Sequence, residues 1–554
     1  MGVPGFFAWL LKNYKQSILT TDVMKVDYLF MDFNCLLHPM CFKTLEEHKD
    51  WKNIDKLEEL MLDKIIQYLD FIVDFVKPSK CLYIAIDGVC PMTKVKHQRL
   101  RRFKSVYDFE YIKQLKLKYG IELTNFWSNA SITPGTKFMS KITKRLLNYS
   151  ETCVKVPKII FSSARTPAEG EHKIMNFIKK RRFGNDTNLA IYGLDADLIF
   201  LSMATNKNNI YLLREYKEIS KEITESVETP LVWVIVDSLR DCVKNVFLKE
   251  GIEHDNTTKD FIFLCYLLGN DFIPHLPSVS IYDGGIDLLI NVYKECYKDM
   301  SLLGDKNKVN YDFLTSIFEI LSMKENTYFK SQYTKRQYQK PKSDSDFESE
   351  MWNYENLRYP FDDPVKLGKD FNWKERYYNY YYGSNERYLV FKACQSYIEG
   401  LDWIANYYFD KCVSWHWYYP FEQAPFVSDL YYFLSKNKLR PYRFKLENPI
   451  EPVEQLLIVI PPQLKFLLPK SFQKPLVTEL KDLSPEIFDI DRINKKKGFE
   501  AVPRLKQLDY SRIKKSASST KKNIYENKVE SDVEYLENIN IPIKDYVFIH
   551  KILK

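Results

Sequence analysis

The chain has 554 residues, 45% of them hydrophobic and 28% charged, with a formal net charge of +8. That length exceeds one compact core, so at least two lobes are expected, and the composition excludes a disordered or fibrous chain. No apolar run approaches the roughly 18 residues that a bilayer span requires.

The N-terminus lacks the basic and then apolar pattern of a signal peptide. Phe6 stands where a myristoylation motif needs Ser or Thr. Ten cysteines are scattered singly, without a CxxC pair. That pattern argues against zinc and disulfides and for reduced thiols inside the cell; the cytoplasm is expected ahead of the nucleus, the Lys clusters near 495–497 and 514–522 being weak import signals.

In chain order, Tyr28-Leu29-Phe30-Met31 reads as a buried strand that ends at Asp32. From Ile54 to Val76, Leu57, Leu60, Met61, Ile65, Ile66, Leu69, Ile72 and Val73 recur at helical spacing. A strand over 81–86 ends at Asp87 and leads into a helix over 94–118. Helices are expected over 136–147 and 172–182; between them Ile159-Ile160-Phe161 is followed by a short loop to Glu169 and Glu171. The run 189–194 ends at Asp195 and Asp197, strands are expected over 210–213 and 231–236, and the run 261–270 is closed by Asp271. Alternating strands and helices predict an α/β fold with a mostly parallel central sheet flanked by helices.

The expected organisation is a nuclease-type core over 1–322, a polar linker or insertion over 323–352, and an aromatic-rich second region over 353–510 packed against the core. A C-terminal tail over 511–554 reads as exposed.

Open parallel sheets bind ligands at the carboxyl ends of their strands. Asp32, Asp87, Glu169, Glu171, Asp195, Asp197 and Asp271 all sit at such ends or in the loops after them. Carboxylates converging there cannot all stay ionised without cations, and hard Mg²⁺ or Mn²⁺ suits an all-oxygen set. Taken singly, each acid reads more readily as a helix cap or a surface charge than as a ligand; their common placement carries the argument. Lys94, Gln98, Arg101 and Arg102 fall at i, i+4, i+7 and i+8, one face of a helix that suits a terminal phosphate. A solvated charged helix is the plain alternative, but Asp87 lies only a few positions away.

These residues carry a resemblance. Gly2-Val3-Pro4 with Phe6-Phe7, Met31-Asp32-Phe33-Asn34 with His38, Asp87-Gly88-Val89 with Pro91, Glu169-Gly170-Glu171-His172 and Tyr192-Gly193-Leu194-Asp195-Ala196-Asp197 occur in order. So do Gly269-Asn270-Asp271-Phe272 and Ser414-Trp415-His416-Trp417-Tyr418-Tyr419-Pro420-Phe421. The chain resembles the XRN-type 5′→3′ exoribonucleases through about residue 510, as a compact, core-only member whose core is similar to PIN/FEN-type nucleases.

The resemblance implies two Mg²⁺ or Mn²⁺ ions on Asp32, Asp87, Glu169, Glu171, Asp195, Asp197 and Asp271. It also implies a 5′-monophosphate pocket of Lys94, Gln98, Arg101 and Arg102. His38 would stack on the first base with Trp415 or Trp417 as partner, and Pro91 with the N-terminal segment would block a duplex. The implied activity is processive 5′→3′ degradation of 5′-monophosphorylated single-stranded RNA to nucleoside 5′-monophosphates. A monomer acting after a decapping enzyme, with no membrane partner, is expected. Gly5, Ala8 and Cys35 depart from the family pattern. Two rival readings are a flap-endonuclease-like DNA nuclease and a catalytically inactive RNA-binding scaffold.

Overall fold

Strand β2 (Tyr28–Asp32) lies near the middle of the sheet, and only its first residue is partly exposed. It follows helix α1 (Phe6–Ile18) and the short strand β1 (Leu19–Thr20). The computed structural model describes residues 6–20, 25–123, 126–193, 195–205, 207–215, 231–249, 251–540 and 545–550. The Gly2-Val3-Pro4 segment, Gly5 and Leu194 lie outside them, as does the side chain of Ala8.

After β2 come α2 (Asn34–Glu47), α3 (Ile54–Val76), β3 (Cys81–Ala85), α4 (Met92–Lys118), α5 (Lys137–Thr152) and β4 (Lys158–Ser162). The chain continues through α6 (Gly170–Lys180), β5 (Leu189–Tyr192), α7 (Ala196–Met203), β6 (Ile210–Glu215) and β7 (Leu231–Ile235). A small ribbon of β8 (Ile490–Asp491) and β9 (Val502–Pro503) and a last strand, β10 (Tyr546–Ile549), complete the strands. The main sheet has the order β1-β7-β6-β5-β2-β3-β4-β10. Strands β2 to β6 are parallel, while β7 and β10 run antiparallel to their neighbours.

Both faces of the parallel part are covered, which is why its strands are continuous apolar runs. Successive side chains alternate between faces. Leu29, Met31, Leu82, Ile84, Ile159 and Phe161 pack under α2, α3 and α5. Phe30, Tyr83, Ile160, Ile191 and Leu212 pack under α6 and α7. This second core continues unbroken into Leu314, Ile317, Trp403 and Phe426. The expected separate lobes therefore share one apolar core in this structure.

Helix α3 occupies the expected span, opened by the Asn53 side chain accepting from Lys56 N (3.1 Å). Three expectations are corrected. The run 261–270 is largely the helix Thr257–Tyr266, apolar because it is buried all round.

The expected linker over 323–352 is helical for much of its length. The helix Tyr311–Gln337 runs through its first half, and Phe347–Glu355 begins near its end. Its polar composition hid this: buried Glu325 accepts from Val427 N (2.8 Å), and Phe329 packs on Trp373 and Phe426.

The expected tail is built into the fold. Helix Tyr510–Glu526 buries Ile513, Ala517 and Ile524, and β10 pairs with β4, Tyr546 opposite Phe161. Small and polar residues in the buried stripe (Ser516, Thr520) masked its periodicity.

Candidate active site

The parallel strands reverse their order of winding between β2 and β5, the point at which such sheets open a crevice beyond their carboxyl ends. Asp32 ends β2, and Asp87 follows β3. Glu169 and Asp195 precede α6 and α7 as capping residues, and Glu171 and Asp197 lie in the first turns of those helices. Helix N-termini favour negative charge there. Asp271 sits in a turn after the helix Thr257–Tyr266, where the Asn270 side chain accepts from Phe272 N (2.8 Å) and Ile273 N (3.0 Å).

Gly170 lets these acids meet. A Cβ there would stand 2.6 Å from Asp32 Oδ1 and 3.0 Å from the Ala85 carbonyl oxygen. Its own N–H donates to Asp87 Oδ1 (2.6 Å). Asn34 Nδ2 donates to Asp87 Oδ2 (2.9 Å), and Asp87 N donates to Asn34 Oδ1 (3.2 Å). The Cys35 thiol donates to Asp32 Oδ2 at 3.1 Å, so the family departure at this position contacts a carboxylate of the cluster. From the second region, Tyr407 OH donates to Glu169 Oε2 (2.8 Å), while its ring stacks on Trp403 and meets the His172 ring at a tilt.

Electrostatically the cluster is under strain. Burial, then Asp87 and Asp195, push Asp32 well above the ordinary carboxylate range. Burial and then Glu169 raise Asp87 to about 6, and burial and then Asp271 raise Asp197 to about 7. Burial, Asp197 and Glu169 raise Glu171 strongly. Glu169 and Asp271 go the other way. Burial pushes both up, but Lys94 outweighs it, with His172 assisting at Glu169 and His97 at Asp271. The Lys94 ammonium lies 2.6 Å from Glu169 Oε1 and 2.5 Å from Asp271 Oδ2.

The donor set fits hard divalent cations. Asp32 Oδ1 and Asp197 Oδ1 are buried without a hydrogen-bond partner among the described residues. Burying bare carboxylate oxygens is costly unless a cation meets them. Glu169, Glu171 and His172 also bring one ligand atom each within 4.8 Å of one another.

A cavity of about 420 Å³ opens onto Asp32, Asp87, Glu169, Glu171 and Asp195, and the same cavity is lined by Lys94, Gln98, Arg101, Arg102 and His38. Asp197 and Asp271 are buried and are not part of its lining. Arg102 donates to Thr133 Oγ1 (2.8 Å) and the Ile132 carbonyl (3.3 Å), both neutral. Burial, then Arg101, bring its guanidinium down to about 9. A half-buried cation with only neutral partners, next to a second cation, suits an anion. Gln98 Oε1 accepts from Gln455 Nε2 (3.0 Å), which fixes the orientation of its amide. Burial, then Arg102 and Arg101, lower His38 to about 4, so its ring is neutral at physiological pH.

Of the two tryptophans, Trp417 is committed to packing, stacked on Trp403 and close to Gly400. Trp415 is half-buried, and its carbonyl accepts from Met92 N (2.8 Å) at the start of α4. Pro91 is itself buried there. Tyr407 and Gln455 carried no signal in the sequence, while Asn34 stood in the Met31-Asp32-Phe33-Asn34 motif without a role of its own.

Acids gathered at the carboxyl end of a parallel sheet, beside a cationic helix face, are the layout of an α/β nuclease. The family model for the XRN 5′-3′ exonuclease N-terminus matches residues 1–216, and that for the Xrn1 helical domain matches 251–358 and 348–551. The chain belongs to the XRN family. It is 28% identical to the 5′-3′ exoribonuclease 2 homolog of Drosophila melanogaster, covering 93% of this chain and 70% of the relative. Against 5′-3′ exoribonuclease 2 of Arabidopsis thaliana the identity is 27%, over 95% of this chain and 68% of the relative. Against 5′-3′ exoribonuclease 1 of Homo sapiens it is 28%, over 93% of this chain but only 34% of the relative. Among the described residues no helix is long and apolar enough to cross a membrane.

Proposed function

We propose that the protein is a processive 5′→3′ exoribonuclease that degrades 5′-monophosphorylated single-stranded RNA to nucleoside 5′-monophosphates. The observation that carries this reading is the one cavity in which Arg101 and Arg102, without carboxylate partners among the described residues, share a lining with Asp32, Asp87 and Glu171. The relatives' names supply the polarity and the RNA substrate.

Asp32, Asp87, Asp195 and Glu169 would hold one divalent ion, and Glu171, Asp197 and Asp271 a second. When bound, such ions supply the positive charge for activating water and stabilising the departing oxygen. Arg101, Arg102 and the oriented Gln98 amide hold the terminal phosphate with forked, charge-assisted hydrogen bonds. That grip sets the first internucleotide bond against the acids. Water adds to phosphorus, the bond to the 3′ oxygen breaks, and the water proton passes by way of solvent to that oxygen. The neutral His38 ring offers a stacking surface for the first base, with Trp415, free of Trp417's packing, as its partner. Stacking tolerates every base and is worth about 1–3 kcal/mol each. Tyr407 keeps Glu169 oriented.

A cap or triphosphate exceeds the two-arginine grip, so a decapping or pyrophosphate-removing activity would act first. Digestion of end-labelled RNA with Mg²⁺, comparing monophosphate, hydroxyl, capped and triphosphate ends, tests the reading. Mononucleotide release from the monophosphate RNA is expected, with the hydroxyl RNA cut poorly and the capped and triphosphate RNAs resistant. Equal rates on all four ends, or preference for flapped DNA, would overturn it.

A further inference from the structure

A second cavity, of about 640 Å³, lies beside the acidic one. It runs along the adjacent face of α4, lined by Thr93, His97, Leu100, Lys104, Asp108 and Ile112. Lys94, Gln98 and Arg102 look instead into the acid cavity, while Arg101 and Ser105 line both. The two cavities are therefore neighbours across one ridge of a single helix. They also meet behind the acid cluster, because Asp271 lines the larger one and His97 Nδ1 stands 3.3 Å from Asp271 Oδ1.

The far wall comes from the segment that carries β9, with Lys495 and Phe499. Phe499 is 55% exposed and Phe126, also in the lining, 42%. Several cations of this cavity are already engaged: Lys96 donates to the Tyr419 and Phe421 carbonyls, Lys104 pairs with Asp108, and Lys496 pairs with Asp283. Arg101 and Lys495 have no recorded carboxylate partner among the described residues. Lys495, with Arg101 shared between the two cavities, beside open aromatic faces matches a base with one phosphate, and the volume falls within the range of small-ligand pockets. A longer strand fits poorly, since Asp108, Glu422 and Glu500 also line the walls and would repel successive phosphates.

We propose that this cavity is a second nucleotide site that receives the released nucleoside 5′-monophosphate, its phosphate held by Arg101 and Lys495 and its base by Phe499. The role as product acceptor rests on the exoribonuclease reading; the binding site does not. Equilibrium dialysis of the full chain with AMP and Mg²⁺ should find two AMP molecules bound per chain. In the double variant Lys495→Ala, Phe499→Ala the second should weaken about 10–100-fold, the scale of one lost stack plus one lost charge contact. Arg102→Ala should remove the other.

Single-turnover cleavage by the double variant should be unchanged, while AMP should inhibit its multiple-turnover reaction less. One AMP per chain in the unaltered protein, or a double variant that keeps both, overturns the site. Loss of long-RNA binding with both AMP molecules retained assigns the groove to the substrate strand and also overturns it. Two AMP molecules bound by a chain that spares 5′-monophosphorylated RNA would sink the exoribonuclease reading alone. Phe499→Ala by itself, at an exposed position, serves if the double variant misfolds.

Discussion

The Lys94 ammonium, on the first turn of α4, sits 2.5 Å from Asp271 Oδ2, a residue 177 positions away. It also bridges to Glu169 and so stands among carboxylates where positive charge is most needed. Breaking one partner of a buried pair costs about 3–5 kcal/mol. Lys94→Gln should therefore lower the melting temperature of the metal-free protein, with Mg²⁺ restoring much of the loss. Differential scanning calorimetry with and without Mg²⁺ checks this, and a variant as stable as the parent without metal contradicts it.

Removing one acid should separate chemistry from binding. Asp87→Asn keeps the size and the Gly170 contact but loses the charge. Outer-shell metal partners alone cost about 10–100-fold, so turnover should fall by at least that factor. The affinity for 5′-monophosphorylated RNA, measured in Ca²⁺ by fluorescence anisotropy, should change little. Retained turnover would remove Asp87 from the metal assignment.

The arginine grip makes a prediction about end preference rather than rate. Hydrogen bonds to charged groups contribute about 1.5–3 kcal/mol, so Arg102→Ala should cut the ratio of 5′-phosphate to 5′-hydroxyl digestion by about 10–100-fold. The hydroxyl rate should stay near that of the parent. Competition between two differently labelled RNAs reads the ratio directly, and an unchanged ratio speaks against the pocket.

Asp87 and Asp197, at about 6 and about 7, lie above the roughly 3.9 of an unfolded aspartate. The metal-free fold thus holds protons that the unfolded chain has released, and it loses stability as pH rises from about 4 through about 7. Divalent binding needs those carboxylates bare and so releases protons. The gain in melting temperature on adding Mg²⁺ should be larger near pH 8 than near pH 6. A gain that is equal at both, or larger in acid, counts against the carboxylates as ligands.

Much of the fold was legible because its signals are local. The spacing from Leu57 to Val73 marked α3, and apolar runs ending at Asp32 and Asp87 marked the central strands. The helix Thr257–Tyr266 was obscured because full burial erases a helical stripe, and Tyr510–Glu526 because Ser516 and Thr520 interrupt one. The Phe329 and Glu325 contacts that hold the supposed linker helical involve partners about a hundred or fewer positions on, which no window along the chain detects.

By itself, the sequence determined which residues carry charge at the ends of apolar runs, and in what order, since strand and helix periods are written in neighbouring side chains. Only the tertiary structure decided that Tyr407 reaches Glu169, that Lys94 leans into the acids while Arg102 awaits an anion, and that α4 divides two cavities. These relationships depend on packing between distant segments. A contact across hundreds of residues leaves no periodic trace in either partner's own stretch of chain.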